Sequence, residues 1–454
     1  MQPLDARHAT LAFPVALDQH GVLERTAFWQ RVHGLAAALA RHPARRWALV
    51  CDDSTWFAAG LLALAQAGRT TVIPQAPKAG SLTASGARID AILTDRPEAF
   101  AGFVTLAIED IPPAADDSQR LPADTADIEF YTSGSSGVPK CVPQTFGQLR
   151  HEAETLEREW GTLLGKDLII GTVPHYHRYG IQMRVMWPLL AGRSFVSRTC
   201  VQPAVLRLWA ARQPCVIVSS PAFLTRVDDL AELPPAAQVT AVFSSGAPLP
   251  DACAERLACV WGHAPIEIYG STETCGVAWR AWSGSAERRY WTPLNGVRVE
   301  LRAEAAGTRL WVKSPFTWQA EWMATGDLAH ERADGRFALL GRADDIVKLE
   351  DKRLSLSEMR TRLEAHAWVE SARLLLLQGR RPLIGAVVIL NAAGRTQLAT
   401  QGRLGMRREL QVWLAQSYEP VLIPRKWRFP ESLPDDDMGK IELSRLRRLF
   451  DERS

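Results

Sequence analysis

Residues 265 to 273 read PIEIYGSTE: an apolar run carrying Ile266 and Ile268 that stops on a tyrosine, a glycine and hydroxyls. Such a run reads as a short buried strand whose last residues are small and polar. The same shape recurs in DLIIGTVP (167 to 174), PCVIVSSP (214 to 221) and VTAVFSSGAPL (239 to 249). Upstream, the helical stretch FWQRVHGLAAALARH, the run RWALVCDD, the helix STWFAAGLLALAQAG and the run TTVIPQ alternate between about residues 22 and 75. Helices separating β-branched runs make βαβ units with a parallel sheet, and small polar residues at the carboxyl ends of parallel strands stand where open α/β sheets bind ligands.

After about residue 290 the texture changes to short alternating segments, VRVELRAE, TRLWVKS and RFALLGRADDIVKL, which read as antiparallel strands. Beyond 355, SLSEMRTRLEAHAWV reads as a helix capped by Ser357 or Ser355, LIGAVVIL as a buried strand and LGMRRELQVWLAQSY as a further helix. A charged, glycine-led turn, GRADD, separates the two textures and puts a boundary at Asp344, with residues 1 to 343 in one domain and 344 to 454 in a small α+β domain. No internal repeat or long low-complexity linker interrupts the chain.

The 454 residues exceed the size of one core, and a composition of 47% hydrophobic and 23% charged residues is that of a globular protein. With 53 Lys and Arg against 50 Asp and Glu, the balance gives no reason to expect nucleic acid as a partner. The basic run Arg445 to Arg448 reads as a solvated helix face. Seven cysteines without a CxxC pair suggest neither a disulfide framework nor a zinc site. No stretch approaches the roughly 20 apolar residues of a membrane span, and the chain reads as cytoplasmic.

YTSGSSGVPK (131 to 140) concentrates glycines and hydroxyls ahead of a lysine. Glycines let successive backbone N–H groups converge, hydroxyls add donors and the lysine brings a mobile point charge, so the stretch suits phosphate. It is not a Walker A loop, since Pro139 precedes Lys140 and Cys141 follows it. IYGSTET (268 to 274) offers an aromatic ring, a hydroxyl and a carboxylate at fixed offsets. ATGDLA (324 to 329) sets Asp327 behind a glycine, able to accept from two vicinal hydroxyls, and MGKIELSRL (438 to 446) carries Lys440. Each alone has an ordinary reading as a turn, a core ring or a solvated charge.

In this order, with GRADDIVKLEDKR between the last two, the motifs resemble those of the adenylate-forming superfamily of acyl-CoA synthetases, aryl-acid ligases, firefly luciferase and nonribosomal-peptide adenylation domains. The resemblance runs from residue 131 to 440; residues 1 to 130 carry no motif. It implies a large N-terminal region of packed mixed sheets with helices and a small distorted barrel, followed by a small mobile α+β C-terminal domain. It also implies ATP and Mg²⁺ as cofactors and a two-step reaction, in which a carboxylate attacks the α-phosphorus of ATP and a thiol then takes the acyl group. Both first-step reactants are anions, so cationic and metal screening is the main electrostatic need.

Carried over by position, the resemblance assigns the β- and γ-phosphates to Thr132, Ser133, Gly134, Ser135, Ser136, Gly137 and Lys140. Thr272 takes the α-phosphate and Glu273 the metal. Tyr269, with Gly270 and Ser271, meets the adenine near Ser245, Gly246, Ala247 and Pro248. Asp327 and Arg342 take the ribose, Asp344 is the hinge, and Lys440 bridges carboxylate and α-phosphate in the first step. VPHYHRYG (173 to 180) matches P-x-x-H-x-x-G, with His177, Tyr179 and Gly180 at the wall of the acid pocket and no carboxylate to pair with an α-amine. Cys275, Gly276, Val277 and Trp279 line the same pocket, where a flat aromatic or unsaturated acid fits better than a saturated long chain. The partners implied are a carboxylic acid and either CoA or a holo acyl-carrier protein, with no nucleic acid and no integral membrane association.

One departure stands out: in KLEDKR (348 to 353), Asp351 replaces the glycine that in the family lines the thiol's tunnel. Three readings compete: an acid–thiol ligase, a kinase-like enzyme using the same loop for γ-phosphate transfer, and a nucleotide-binding or adenylation-only protein without the thioester step.

Overall fold

A computed structural model describes residues 13–19, 21–84, 86–132, 140–227, 229–284, 289–304, 307–343, 346–349, 352–377, 382–432 and 443–451. The chain forms two compact units, one of Met1–Val299 with Val312–Met323 and one of Glu300–Trp311 with Ala324–Ser454. Asp344, the expected hinge, and Asp351 lie outside the described residues.

The first unit holds two sheets. In one, Thr105–Ala107, Ala91–Thr94, Arg46–Val50, Thr70–Ile73 and Asp127–Thr132 run parallel in that order, and Lys140–Thr145 closes the edge antiparallel to Asp127–Thr132. In the other, Ile266–Ser271, Val239–Ser245, Cys215–Ser219, Leu168–Gly171 and Phe195–Val196 lie side by side and parallel. These are the four runs read from the sequence plus a short neighbour. Cys215–Ser219, Leu168–Gly171 and Phe195–Val196 are buried throughout and Val239–Ser245 nearly so, while Ile266–Ser271 ends exposed; Ile170, Ile217 and Val242 pack with Leu206, Leu224 and Leu257 from flanking segments into one core. Cys275–Ala281 returns antiparallel beside Ile266–Ser271, and Tyr290–Pro293 follows it.

Two helices of this unit owe their starts to side-chain caps. Ser54–Gln66 begins at Asp53, whose carboxylate accepts the N–H of Thr55 at 2.7 Å. Phe146–Leu164 begins at Thr145 with a complete capping box: Thr145 accepts from the Gln148 N–H and Gln148 accepts from the Thr145 N–H.

The second unit carries the sheet strands Arg298–Glu304, Gly307–Lys313, Met323–Glu331 and Phe337–Arg342 in that order, the first three reaching across its boundary. The hairpin Ile346–Leu349 with Lys352–Ser355 follows, then a sheet of Val369–Leu377, Leu383–Leu390 and Lys426–Arg428. The helix Leu356–Glu364 is capped by Ser355, one of the two serines expected, and ends sooner than the sequence suggests. Ala392–Ala415 begins earlier than expected and is interrupted at Gly402, whose φ of 68° is not helical. In Leu443–Asp451, Leu446 and Phe450 pack against Leu375 and Val387 while Arg445, Arg447 and Arg448 face solvent, as the basic run predicts. No helix among the described residues is long and apolar enough to cross a membrane.

Candidate active site

The strand ends place the sites. Thr132 stands opposite Lys140 across the hairpin that flanks the phosphate loop, and its hydroxyl donates to the Lys140 carbonyl at 3.5 Å. Ser133, Gly134, Ser135, Ser136 and Gly137 lie outside the described residues. Lys140 Nζ reaches to 3.8 Å from Glu273 Oε1, with the lysine 60% and the glutamate 31% exposed. Two charges assigned from separate, distant motifs therefore meet, at a distance that leaves each accessible to a polyanion and its counter-ion.

Val239–Ser245 ends in Ser245, whose hydroxyl donates to the Ile268 carbonyl at 2.7 Å. Gly246, Ala247 and Pro248 are exposed beyond it, and the turn is held by buried Glu267, which accepts the Leu249 N–H at 2.9 Å and pairs with Arg280 at 2.8 Å. Tyr269 is half-buried with its ring 5.6 Å from that of Trp291. The register of this strand against Cys275–Ala281 shifts between Tyr269 and Gly270. A Cβ on Gly270 would stand 2.0 Å from the Cys275 carbonyl oxygen, so only glycine fits there. Ser271 and Thr274 close the turn reciprocally, each backbone N–H bonding the other's hydroxyl at 3.1 Å. Thr272 and Glu273 are presented at its tip.

Cys275 follows with φ of 58°, the only non-glycine among the described residues with a left-handed backbone. Its thiol accepts from Gln144 Nε2 at 2.9 Å and donates to the Phe316 carbonyl at 3.2 Å, and burial pushes its pKa up to about 11, so it stays protonated. Next to it the space beside Gly276 is filled by a carboxylate: a Cβ there would lie 2.8 Å from Glu152 Oε1, which accepts the Gly276 N–H at 2.9 Å. Val277 is fully buried, and Trp279 packs its ring 5.8 Å from that of Trp160.

On the acid-pocket side, His177 is half-buried with its ring 4.6 Å from Tyr176, and its carbonyl accepts the Ile181 N–H at 2.8 Å. Tyr179 has its hydroxyl shielded from water, and burial raises its pKa well above the ordinary value. Gly180 is buried in the turn Arg178–Gly180. His175 is a different histidine in kind. It is 2% exposed and 2.9 Å from the Cys51 carbonyl, and burial, with nearby Arg184, pushes its pKa down to about 3.

Three site residues escape a reading by motif. Arg178, inside HYHRYG, donates through Nε to Gln144 Oε1 at 2.9 Å, through Nη1 to Gln182 at 3.3 Å and through Nη2 to Glu152. Burial works against its charge, yet the facing Glu152 holds its pKa above the ordinary value. Gln144 and Glu152 are likewise buried. Only the position of Gln144, on the strand that Lys140 begins, hinted at a shared site.

In the second unit, Asp327 and Arg342 stand directly opposite each other on neighbouring antiparallel strands. The Asp327 N–H is held by the Thr325 hydroxyl at 3.1 Å. Lys440 lies outside the described residues.

Residues 84–315 match the family of AMP-binding enzymes, half of the chain. This chain belongs to that family. The AMP-binding enzyme is 27% identical to a 4-coumarate–CoA ligase of Rhodobacter capsulatus over 319 residues, covering 70% of this chain and 75% of that protein. It is 26% identical over 373 residues to an uncharacterized acyl–CoA ligase, YhfT, of Bacillus subtilis, covering 76% and 73%. Its fold is similar to that of ATP-bound MatB from Rhodopseudomonas palustris, with a TM-score of 0.80 at 21% identity over 99% of both chains. The AMP-binding enzyme thus has relatives that are named as acid–CoA ligases.

Proposed function

We propose that this enzyme activates a carboxylic acid without an α-amine, using ATP, as an acyl-adenylate and then passes the acyl group to the thiol of CoA or of a carrier-bound phosphopantetheine. The observation that carries the reading is the meeting of Lys140 and Glu273 beside Thr272, at the end of the two strands that hold the phosphate and adenine motifs. A kinase would leave ADP; the family membership and the named CoA ligases favour AMP and pyrophosphate as products.

The residues present fit Mg²⁺. A hydroxyl and one carboxylate are hard oxygen donors, and this ion takes one or two carboxylates with substrate phosphates rather than a cage; no group of three or more His, Cys, Asp or Glu converges among the described residues. When bound by Glu273, Mg²⁺ would neutralise the triphosphate. Lys140 lowers the repulsion between carboxylate and phosphates from the pyrophosphate side, and Thr272 donates to the α-phosphate. Tyr269 offers its ring to the adenine beside the exposed Gly246–Pro248 turn. Asp327 accepts from the ribose hydroxyls with Arg342 beside it. Lys440, on the domain that turns about Asp344, brings the charge that joins carboxylate to α-phosphorus and departs for the thiol step.

His177, Tyr179, Cys275, Gly276, Val277 and Trp279 bound the acid, and the apolar and aromatic share of this set favours a flat aromatic or unsaturated acid. Asp351, in place of glycine, bears on the thiol step and not on adenylation.

The test is ATP–pyrophosphate exchange over a panel of aromatic and aliphatic acids, followed by a chase with CoA or a holo carrier protein. Exchange that depends on the acid, lost in Lys440→Ala while ATP still binds, is expected. Acid-independent ADP formation would overturn the reading.

A further inference from the structure

Gln144 touches three motifs at once. It sits on the strand Lys140–Thr145 that leaves the phosphate loop, and it is 2% exposed. Its Oε1 accepts from Arg178 Nε of the acid-pocket segment at 2.9 Å. Its Nε2 donates to the Thr272 carbonyl at 3.3 Å and to Cys275 Sγ at 2.9 Å. The amide can face only one way, because a guanidinium only donates and a carbonyl only accepts.

Arg178 is held in turn. Its Nη2 pairs with Glu152, its Nη1 bonds Gln182, and its guanidinium carbon lies 5.8 Å from the centre of the Phe130 ring. Glu152 uses its second oxygen on the Gly276 N–H at 2.9 Å. The loop from Thr272 to Gly276 is therefore fastened at two places, the Thr272 carbonyl and the Gly276 amide, by one buried assembly rooted in the acid-pocket segment. Between those points Cys275 holds a left-handed backbone, a conformation a non-glycine residue keeps only where its surroundings over-determine it.

We propose that Gln144, oriented by the Arg178–Glu152 pair, is a positioning residue that aims Thr272 and Glu273, so that metal-dependent nucleotide binding is set by the segment that walls the acid pocket. The inference rests on the roles proposed above for those two side chains. A network that served packing alone would have no reason to grip the backbone on both sides of the residue that meets the metal.

The test is calorimetric titration of ATP into the full chain, with and without Mg²⁺, for the wild type and for Gln144→Met, which keeps the volume and removes the amide. The gain in affinity from Mg²⁺ should fall by about fivefold or more, the size of one net hydrogen bond, and metal-free affinity, which Thr272 serves, should fall by less. The KM for MgATP should rise and that for the acid should hold.

If Gln144→Met does not fold, the double variant Glu152→Gln with Arg178→Gln removes both buried charges together and leaves none unpaired, and the same split is expected. Equal losses with and without metal, no loss in either, or a change confined to the acid KM would overturn the assignment. A wild type whose ATP affinity ignores Mg²⁺ removes the metal role of Glu273 itself and the inference with it.

Discussion

Lys140, Tyr269 and Glu273 stand out in the sequence because each lies at a fixed offset inside a short motif, and the structure brings Lys140 and Glu273 together. Gln144, Glu152 and Arg178 do not stand out, since a glutamine on a strand and an ion pair on two helical segments look ordinary until the chain brings partners 128 and 124 positions apart into contact. His175 and His177 show the same limit: close neighbours in sequence, one is sealed against Cys51 and the other half-exposed. Burial and Arg184 push His175 down to about 3, so the native protein stays neutral there while the unfolded chain takes a proton below about pH 6.5. The unfolded state then binds more protons, and the native state loses stability as pH falls through that window. Between about pH 7 and pH 5 this one group should cost about 2 kcal/mol, and His175→Gln should lose correspondingly less over the same range. Urea unfolding at the two pH values measures it; equal pH slopes for the two proteins would show that His175 does not titrate in this way.

At the scale of elements, the parallel runs were read in place because strands shielded on both faces are continuous apolar runs. Helix ends were read less well. Ala392–Ala415 begins in a stretch, AAGRTQLATQG, whose glycines and threonines look like a loop; Asn391 starts it by accepting the Gly394 N–H at 3.0 Å, and Gly402 breaks it midway. Leu356–Glu364 closes in a tightened turn, where the His366 N–H bonds the Leu363 carbonyl three residues back, and the chain then enters the strand Val369–Leu377. Cys275–Ala281, expected as pocket lining, is also a strand, paired antiparallel with Ile266–Ser271 on one side and Tyr290–Pro293 on the other. The capping box of Phe146–Leu164 starts the helix that carries Glu152. Thr145→Ala should destabilise the protein by about 1 kcal/mol, read as a shift of the denaturant midpoint at constant slope. A midpoint that does not move would mean the helix is held by its tertiary contacts alone.

For the whole molecule, strand types could be read but strand order could not, because pairing between segments far apart in the chain is a tertiary outcome. Chemistry survives that gap: the order of motifs along the chain was enough to indicate an adenylate-forming enzyme, and the match over residues 84–315 establishes the family. The proposed reaction fixes a route by which an oxygen atom travels. In the first step a carboxylate oxygen forms a bond to the α-phosphorus as pyrophosphate leaves, and in the second the thiol takes the acyl carbon while the C–O bond breaks. The oxygen then departs on AMP. A reaction with acid labelled by ¹⁸O in its carboxylate, followed by mass spectrometry of the nucleotide and phosphate products, reads this route directly. One labelled oxygen on AMP is the predicted result; label on inorganic phosphate, with ADP as the nucleotide product, would contradict it.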